Sequence, residues 1–181
     1  SKWFDAIKKE CKNVRENVGL LDMTAFAKCR IKGPKAEEFL DNLVANKLPK
    51  KIGRINLCHA LNTKGGVHSE FTIMRESENS FYLVSAGAYQ RLDHDWILKW
   101  MPQDGSVQFE NLTNSTGVLV VSGPKARQLM TSVSNDDYSN ENFKWLSAKN
   151  VDIGYAPVNA MRVNFVGELG WELHHPIEYQ N

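Results

Sequence analysis

The chain is poor in the devices that hold small proteins together from outside a core. Only three cysteines, Cys11, Cys29 and Cys58, occur in 181 residues, widely spaced and with no Cys-x-x-Cys pair. That excludes a disulfide framework and a thiolate zinc site, and it points to reduced thiols in an intracellular compartment. No apolar run reaches the ~20 residues that a membrane-spanning helix needs, and no signal peptide is visible, so a soluble protein is expected. Charge of one sign is lacking too. The net charge is +1, which argues against broad nucleic-acid binding but leaves room for a local basic pocket. Familiar catalytic signatures are also missing: no Gly-x-Gly-x-x-Gly follows a strand, and there is no Walker loop, HExxH or nucleophile elbow. His59, His68, His94, His174 and His175 are scattered. His174 and His175, adjacent on a strand-like segment, point to opposite faces, so no metal site is expected. Trp96, Trp100, Trp145 and Trp171 read as core or interface residues rather than a stacking box.

What is present is an ordinary globular composition, 42% hydrophobic and 24% charged, in a chain long enough to bury a core of its own. Its organisation shows in a repeat. Residues 31–43 read IKGPKAEEFLDNL and residues 121–133 read VSGPKARQLMTSV. Each copy has a β-branched lead-in, then Gly-Pro-Lys-Ala, then apolar residues at helical spacing: Ala36, Phe39, Leu40 and Leu43 in one, Ala126, Leu129, Met130 and Val133 in the other. Proline at a first helical position costs no hydrogen bond, so Pro34 and Pro124 are expected to start helices.

A hairpin is expected after each helix. The first joins strands at 55–62 and 67–74 across Thr63–Gly66; the second joins 158–166 and 170–175 across Gly167–Leu169. Aligning Gly65 with Gly167 places Glu70 and Glu172 at matching positions. On the first hairpin Val67, Ser69, Phe71 and Ile73 share one face, and His68, Glu70 and Thr72 the other. Glu172 lies between Trp171 and Leu173, and a carboxylate so placed needs a partner, either a protein cation or a flat donor-rich ligand, unless the hairpin lies at the surface and Glu172 faces water. Amphipathic helices are expected at 3–17, with Trp3, Phe4, Ile7, Cys11 and Val14 on one stripe, and at 88–101; residues 134–150 read as a loop or a short irregular helix. These elements define an α+β fold of two related β-α-β-β units with antiparallel hairpins about a pseudo-twofold axis. Packing about that axis lets Glu70 and Glu172 face one cleft; the other reading is that both carboxylates are simply solvated. The second copy shows no counterpart of the strand at 81–85 or of the helix after it. The expectation is therefore one domain over 1–181, truncated at its C-terminal end.

The strings AFAKCRIKGPKAEEFLD, ANKLPKKIGRI, LNTKGGVHSEFT and VNFVGELGWEL carry a family resemblance. From about Val14 to Pro176 the chain resembles the folate-binding domain of the glycine-cleavage aminomethyltransferase, the T-protein. It is more similar still to the C-terminal folate domain of dimethylglycine and sarcosine dehydrogenases. The resemblance implies a tetrahydrofolate site. In it Glu70 is the catalytic carboxylate orienting the folate nitrogens, Glu172 binds the pterin, and Phe165 borders the cofactor where a tyrosine is usual. Ala86 stands where the T-protein has an asparagine, so two polar contacts of that enzyme are absent and the dehydrogenase-like branch is favoured. The implied activity is one-carbon transfer from an N-methyl amine to tetrahydrofolate. FAD is implied only through a separate module, in cis or in trans, with no nucleic-acid or membrane partner. A non-catalytic folate-binding regulatory or interaction module is the alternative. Localisation is expected to be cytoplasmic, with the mitochondrial matrix as the alternative, and the isolated chain is expected to bind folate weakly and to lack dehydrogenase activity.

Overall fold

The computed structural model describes residues 2–180. The chain runs α1 (Lys2–Glu16), β1 (Gly19–Asp22), β2 (Ala27–Lys32), α2 (Ala36–Leu43), β3 (Ile55–Leu61), β4 (Val67–Ser77) and β5 (Ser80–Ser85). It continues through a short 3-10 turn (Gly87–Tyr89), α3 (Gln90–Trp100), β6 (Gln108–Asn111), β7 (Thr116–Ser122) and α4 (Ala126–Val133). It closes with β8 (Ala148–Ile153), β9 (Ala156–Met161), β10 (Gly170–Pro176) and a second 3-10 turn (Ile177–Tyr179). Two compact units result, one from Ala25–Thr116 and the other from Ser1–Thr24 with Gly117–Asn181.

Each unit is a five-stranded sheet with its own core. The Ala25–Thr116 sheet has the order β3-β4-β5-β2-β6, and the other sheet, read from its far edge, β8-β9-β10-β7-β1. The pairs β1–β7, β9–β10, β8–β9, β2–β5, β2–β6, β3–β4 and β4–β5 are antiparallel. One face of the first sheet buries Cys29, Ile31, Phe71, Ile73, Phe81 and Leu83 against Phe39 and Leu40 of α2 and Ile97 of α3. One face of the second buries Val121, Val158, Ala160, Trp171 and Leu173 against Ala126 and Met130 of α4, with Tyr138 and Phe143. The amphipathic α1 is present, but its Trp3, Phe4 and Ile7 are exposed.

The Gly-Pro-Lys-Ala repeat builds the same turn twice. Gly33 and Gly123 have φ of 131° and 134°, a region closed to other residues. A Cβ on Gly33 would stand 2.3 Å from the Ser106 carbonyl oxygen, and one on Gly123 2.5 Å from that of Asn17. In both copies the lysine N–H donates to that same passing carbonyl, Lys35 to Ser106 and Lys125 to Asn17, and the alanine N–H closes back on the glycine. The helices accordingly begin at Ala36 and Ala126. Pro34 and Pro124 lie in the preceding turn and are not the first helical residues, because the backbone turns on glycine before it coils.

The strand orders correct the hairpin equivalence expected from sequence. Position by position, β3 corresponds to β8, β4 to β9 and β5 to β10. The counterpart of the β3–β4 hairpin is therefore β8–β9, joined at Gly154 with φ 59°. Glu70 on β4 and Glu172 on β10 are not equivalent positions. The second unit does contain the strand thought missing, since β10 is the counterpart of β5, and a 3-10 turn follows each. The error lay in β8, a half-covered edge strand of sequence AKNVDI in which only Ala148 and Val151 are buried, and which falls partly inside the stretch read as a loop. The strand expected over 158–166 stops at Met161.

Candidate functional site

Glu70 is set by the hairpin before it. Asn62 Oδ1 accepts the N–H groups of Lys64 and Gly66 at 2.9 and 3.0 Å, and Gly65 takes φ 79°, so the turn is fixed by an asparagine side chain and a left-handed glycine. A bulge follows: Ala60 pairs with Ser69 but Leu61 pairs with Val67, so His68 has no residue opposite. Its ring stacks on Trp96 of α3 with centroids 3.9 Å apart. His68 thus leaves the face shared by Glu70 and Thr72, contrary to simple alternation. From Ser69 onward the alternation holds, with Phe71 and Ile73 in the core and Glu70 on the opposite side. Glu70 pairs directly with His59 of β3, with Oε2 2.8 Å from the imidazole Nε2. Its side chain is 55% exposed, so the carboxylate remains open to an incoming group.

Glu172 has a drier setting. Trp171 and Leu173 turn into the core, which puts Glu172 and His174 together on the other face of β10. Glu172 is only 13% exposed, and its Oε2 lies 3.1 Å from His174 Nε2, itself nearly fully buried. The partner demanded by its apolar neighbours is thus a histidine two residues along the same strand, which the sequence reading had not assigned. One imidazole contact leaves carboxylate lone pairs for further donors.

The segment before Glu172 is built around two glycines with different functions. Gly167 turns the chain with φ 76° and has open space around it. Gly170 allows a close approach: a Cβ there would sit 2.4 Å from the Val121 carbonyl oxygen of β7. Asn164 holds the loop by donating to Ser122 Oγ at 2.8 Å and accepting from the Val166 N–H at 3.0 Å, and Glu168 pairs with Arg15 of α1. Phe165 is 97% exposed. Ala86 stands just before the Gly87–Tyr89 turn. All three cysteines are free thiols, and burial raises Cys29 to about 12 and Cys58 to about 11. Among the described residues no three His, Cys, Asp or Glu side chains gather as a metal site.

Comparison with known proteins extends these observations. The model of the GCVT N-terminal domain matches residues 1–181. The chain is 37% identical over 174 residues to the mitochondrial dimethylglycine dehydrogenase of Mus musculus, covering 96% of this chain and 20% of that protein. It is 32% identical over 180 residues to the mitochondrial pyruvate dehydrogenase phosphatase regulatory subunit of Mus musculus, covering 98% and 20%. It therefore spans about a fifth of the length of these relatives. Among solved structures, the glycine cleavage system aminomethyltransferase T of Bartonella henselae superposes with a TM-score of 0.80 at 24% identity, over 94% of this chain and 45% of that one. That likeness establishes the fold.

Proposed function

Since the chain belongs to the GCVT N-terminal domain family, a family of folate-dependent one-carbon transfer, we propose that it is the tetrahydrofolate-binding, one-carbon-accepting part of a longer dimethylglycine or sarcosine dehydrogenase-type protein. The observation that carries the proposal is the match to the family along the whole chain, together with Glu172, a poorly exposed carboxylate hydrogen-bonded to one imidazole. A pterin offers an amino group and a ring N–H side by side, and a carboxylate accepts such a fork through charge-assisted bonds. Glu172 fits that ligand because His174 occupies one side of its Oε2 and leaves the rest of the carboxylate to accept.

When bound, tetrahydrofolate supplies the nitrogens that take up the one-carbon unit. Glu70 would orient those nitrogens and accept a proton from the one that takes up the carbon unit, and its open carboxylate suits the exchange. His59, 2.8 Å away, fixes the side-chain rotamer of Glu70. Phe165, exposed in the loop before Glu172, would offer the bound ring an apolar face in place of a phenol. Oxidation of the amine falls to a flavin-bearing module, in cis or in a partner. The word mitochondrial in the relatives' names favours the matrix over the cytoplasm as this protein's compartment.

A second reading is supported by one observation, the match to a phosphatase regulatory subunit. In that reading the domain binds folate, or another ligand, without transferring carbon. An assay of one-carbon transfer to tetrahydrofolate by the full-length protein separates the two. Loss of transfer with retained binding in Glu70→Gln supports catalysis, and absence of transfer in a folate-saturated wild type supports the regulatory reading.

A further inference from the structure

Two arginines of the Gly117–Asn181 unit meet over Trp171 without a carboxylate between them. Arg127 lies on α4 and Arg162 directly follows β9. Their guanidinium carbons stand 6.0 and 5.8 Å from the centre of the Trp171 ring. Both donate through Nη2 to a single acceptor, Asn140 Oδ1, at 2.7 and 2.8 Å. Each is also tied to backbone, Arg127 Nε to the Tyr138 carbonyl and Arg162 Nη1 to that of Phe143. Among the described residues neither arginine enters an ion pair, although the other clustered arginines do, Arg30 with Glu76 and Glu110 and Arg75 with Glu37. Arg162 Nε is buried with no hydrogen-bond partner.

This arrangement is costly as it stands. Burial, and then the charge of Arg127, push the Arg162 guanidinium below its usual range. Two cations held side by side normally share an anion. A neutral amide oxygen receiving both charged donors occupies the position where an anionic oxygen would gain most. Asn140 is exposed and belongs to the connection between α4 and β8, so its side chain can turn away without opening the core. The carbonyls of Tyr138 and Phe143 would still hold the guanidinium planes in place. Trp171, fully buried beneath them and packed edge-on against Tyr138 at 5.5 Å and Phe143 at 5.9 Å, gives the pair a rigid floor.

We propose that Arg127 and Arg162 form a binding site for a small oxyanion, a carboxylate or phosphate group, one oxygen of which replaces Asn140 Oδ1 between the two guanidiniums. The site does not depend on the folate reading, because none of its residues is assigned to the folate. The test is a calorimetric titration of the 181-residue chain with inorganic phosphate and, separately, with acetate, at low ionic strength. Saturable binding at one site is expected, and the tighter of the two ligands identifies which oxyanion the site takes. Asn140→Ala removes the internal competitor and should tighten binding by roughly threefold or more, the scale of one neutral hydrogen bond. Arg127→Gln should weaken it by roughly tenfold or more, the scale of a charged one. Asn140→Asp supplies the missing anion from within, so it should raise the melting temperature and abolish phosphate binding. If Arg127→Gln fails to fold, the two Asn140 variants still decide the matter. Absence of saturable binding in both wild type and Asn140→Ala would overturn the proposal. So would phosphate binding that is unchanged in Arg127→Gln, or an Asn140→Asp protein that melts lower than wild type.

Discussion

Replacing Gly170 by alanine tests whether the glycines before Glu172 do the separate jobs the structure gives them. The backbone of Gly170 is not left-handed, so alanine would suffer no conformational strain there. The obstacle is steric. Its Cβ would lie 2.4 Å from the Val121 carbonyl oxygen, 2.5 Å from Asn164 Nδ2 and 3.3 Å from Ser122 Cα. The Asn164 amide can swing aside, but the two β7 contacts are backbone, so β10 must retreat from β7 by about 1 Å to restore ordinary contact. Overpacking of this kind costs roughly 1–3 kcal/mol, and a ladder hydrogen bond lost in the retreat adds about 1 kcal/mol. Gly167→Ala is the control. It meets nothing within 4 Å and pays only for a left-handed alanine, about 1–2 kcal/mol. Urea unfolding followed by tryptophan fluorescence measures both. Gly170→Ala should lower the midpoint about twice as far as Gly167→Ala, with similar slopes. In a protein of this size each kcal/mol corresponds to roughly 2–4 °C in melting temperature. Equal losses, or a larger loss at Gly167, would refute the close-approach argument and with it the placement of Glu172 by β7.

Three further outcomes are expected. With Cys11 exposed and Cys29 and Cys58 raised by burial, a thiol reagent near neutral pH should titrate one cysteine rapidly in the folded protein and all three after denaturation. Because burial lifts both thiols above their unfolded value of 9.0, the stability they contribute is complete below that pH, and the melting temperature should fall as pH rises from about 9 toward 12. Glu70→Gln should leave stability within about 1 kcal/mol of wild type, as expected for an exposed pair with His59, while one-carbon transfer by the full-length protein drops by roughly a hundredfold or more. A large loss of stability with transfer intact would make Glu70 a structural residue.

How far the sequence carried the fold can be judged residue by residue. The paired Gly-Pro-Lys-Ala segments announced two related units, because a left-handed glycine beside a passing strand leaves a local, repeated pattern. The alternation after Ser69 correctly put Glu70 opposite the Phe71 and Ile73 face. What failed was non-local. The bulge at His68 is visible only when the register of β3 against β4 is known, since nothing in the composition marks one residue as unpaired. Strand β8 was missed because a polar edge strand buries few side chains and reads as a loop. That omission shifted the second hairpin by one strand and produced the false equivalence of Glu70 with Glu172. The need of Glu172 for a partner was legible from Trp171 and Leu173, and period-two alternation already put His174 on its face. The Arg127–Asn140–Arg162 cluster joins a helix, a loop and a strand end, and no spacing rule connects them.

The central claim is that Glu172 holds a pterin. It is tested most directly by calorimetric titration of tetrahydrofolate into the full-length protein and its Glu172→Gln variant, with unfolding curves to establish that both are folded. Glutamine keeps the shape of the side chain and removes its charge. Loss of the charge-assisted contact should weaken binding by roughly 1.5–3 kcal/mol, about one to two orders of magnitude in the dissociation constant. Equal affinity in wild type and Glu172→Gln, with both proteins folded, would contradict the account.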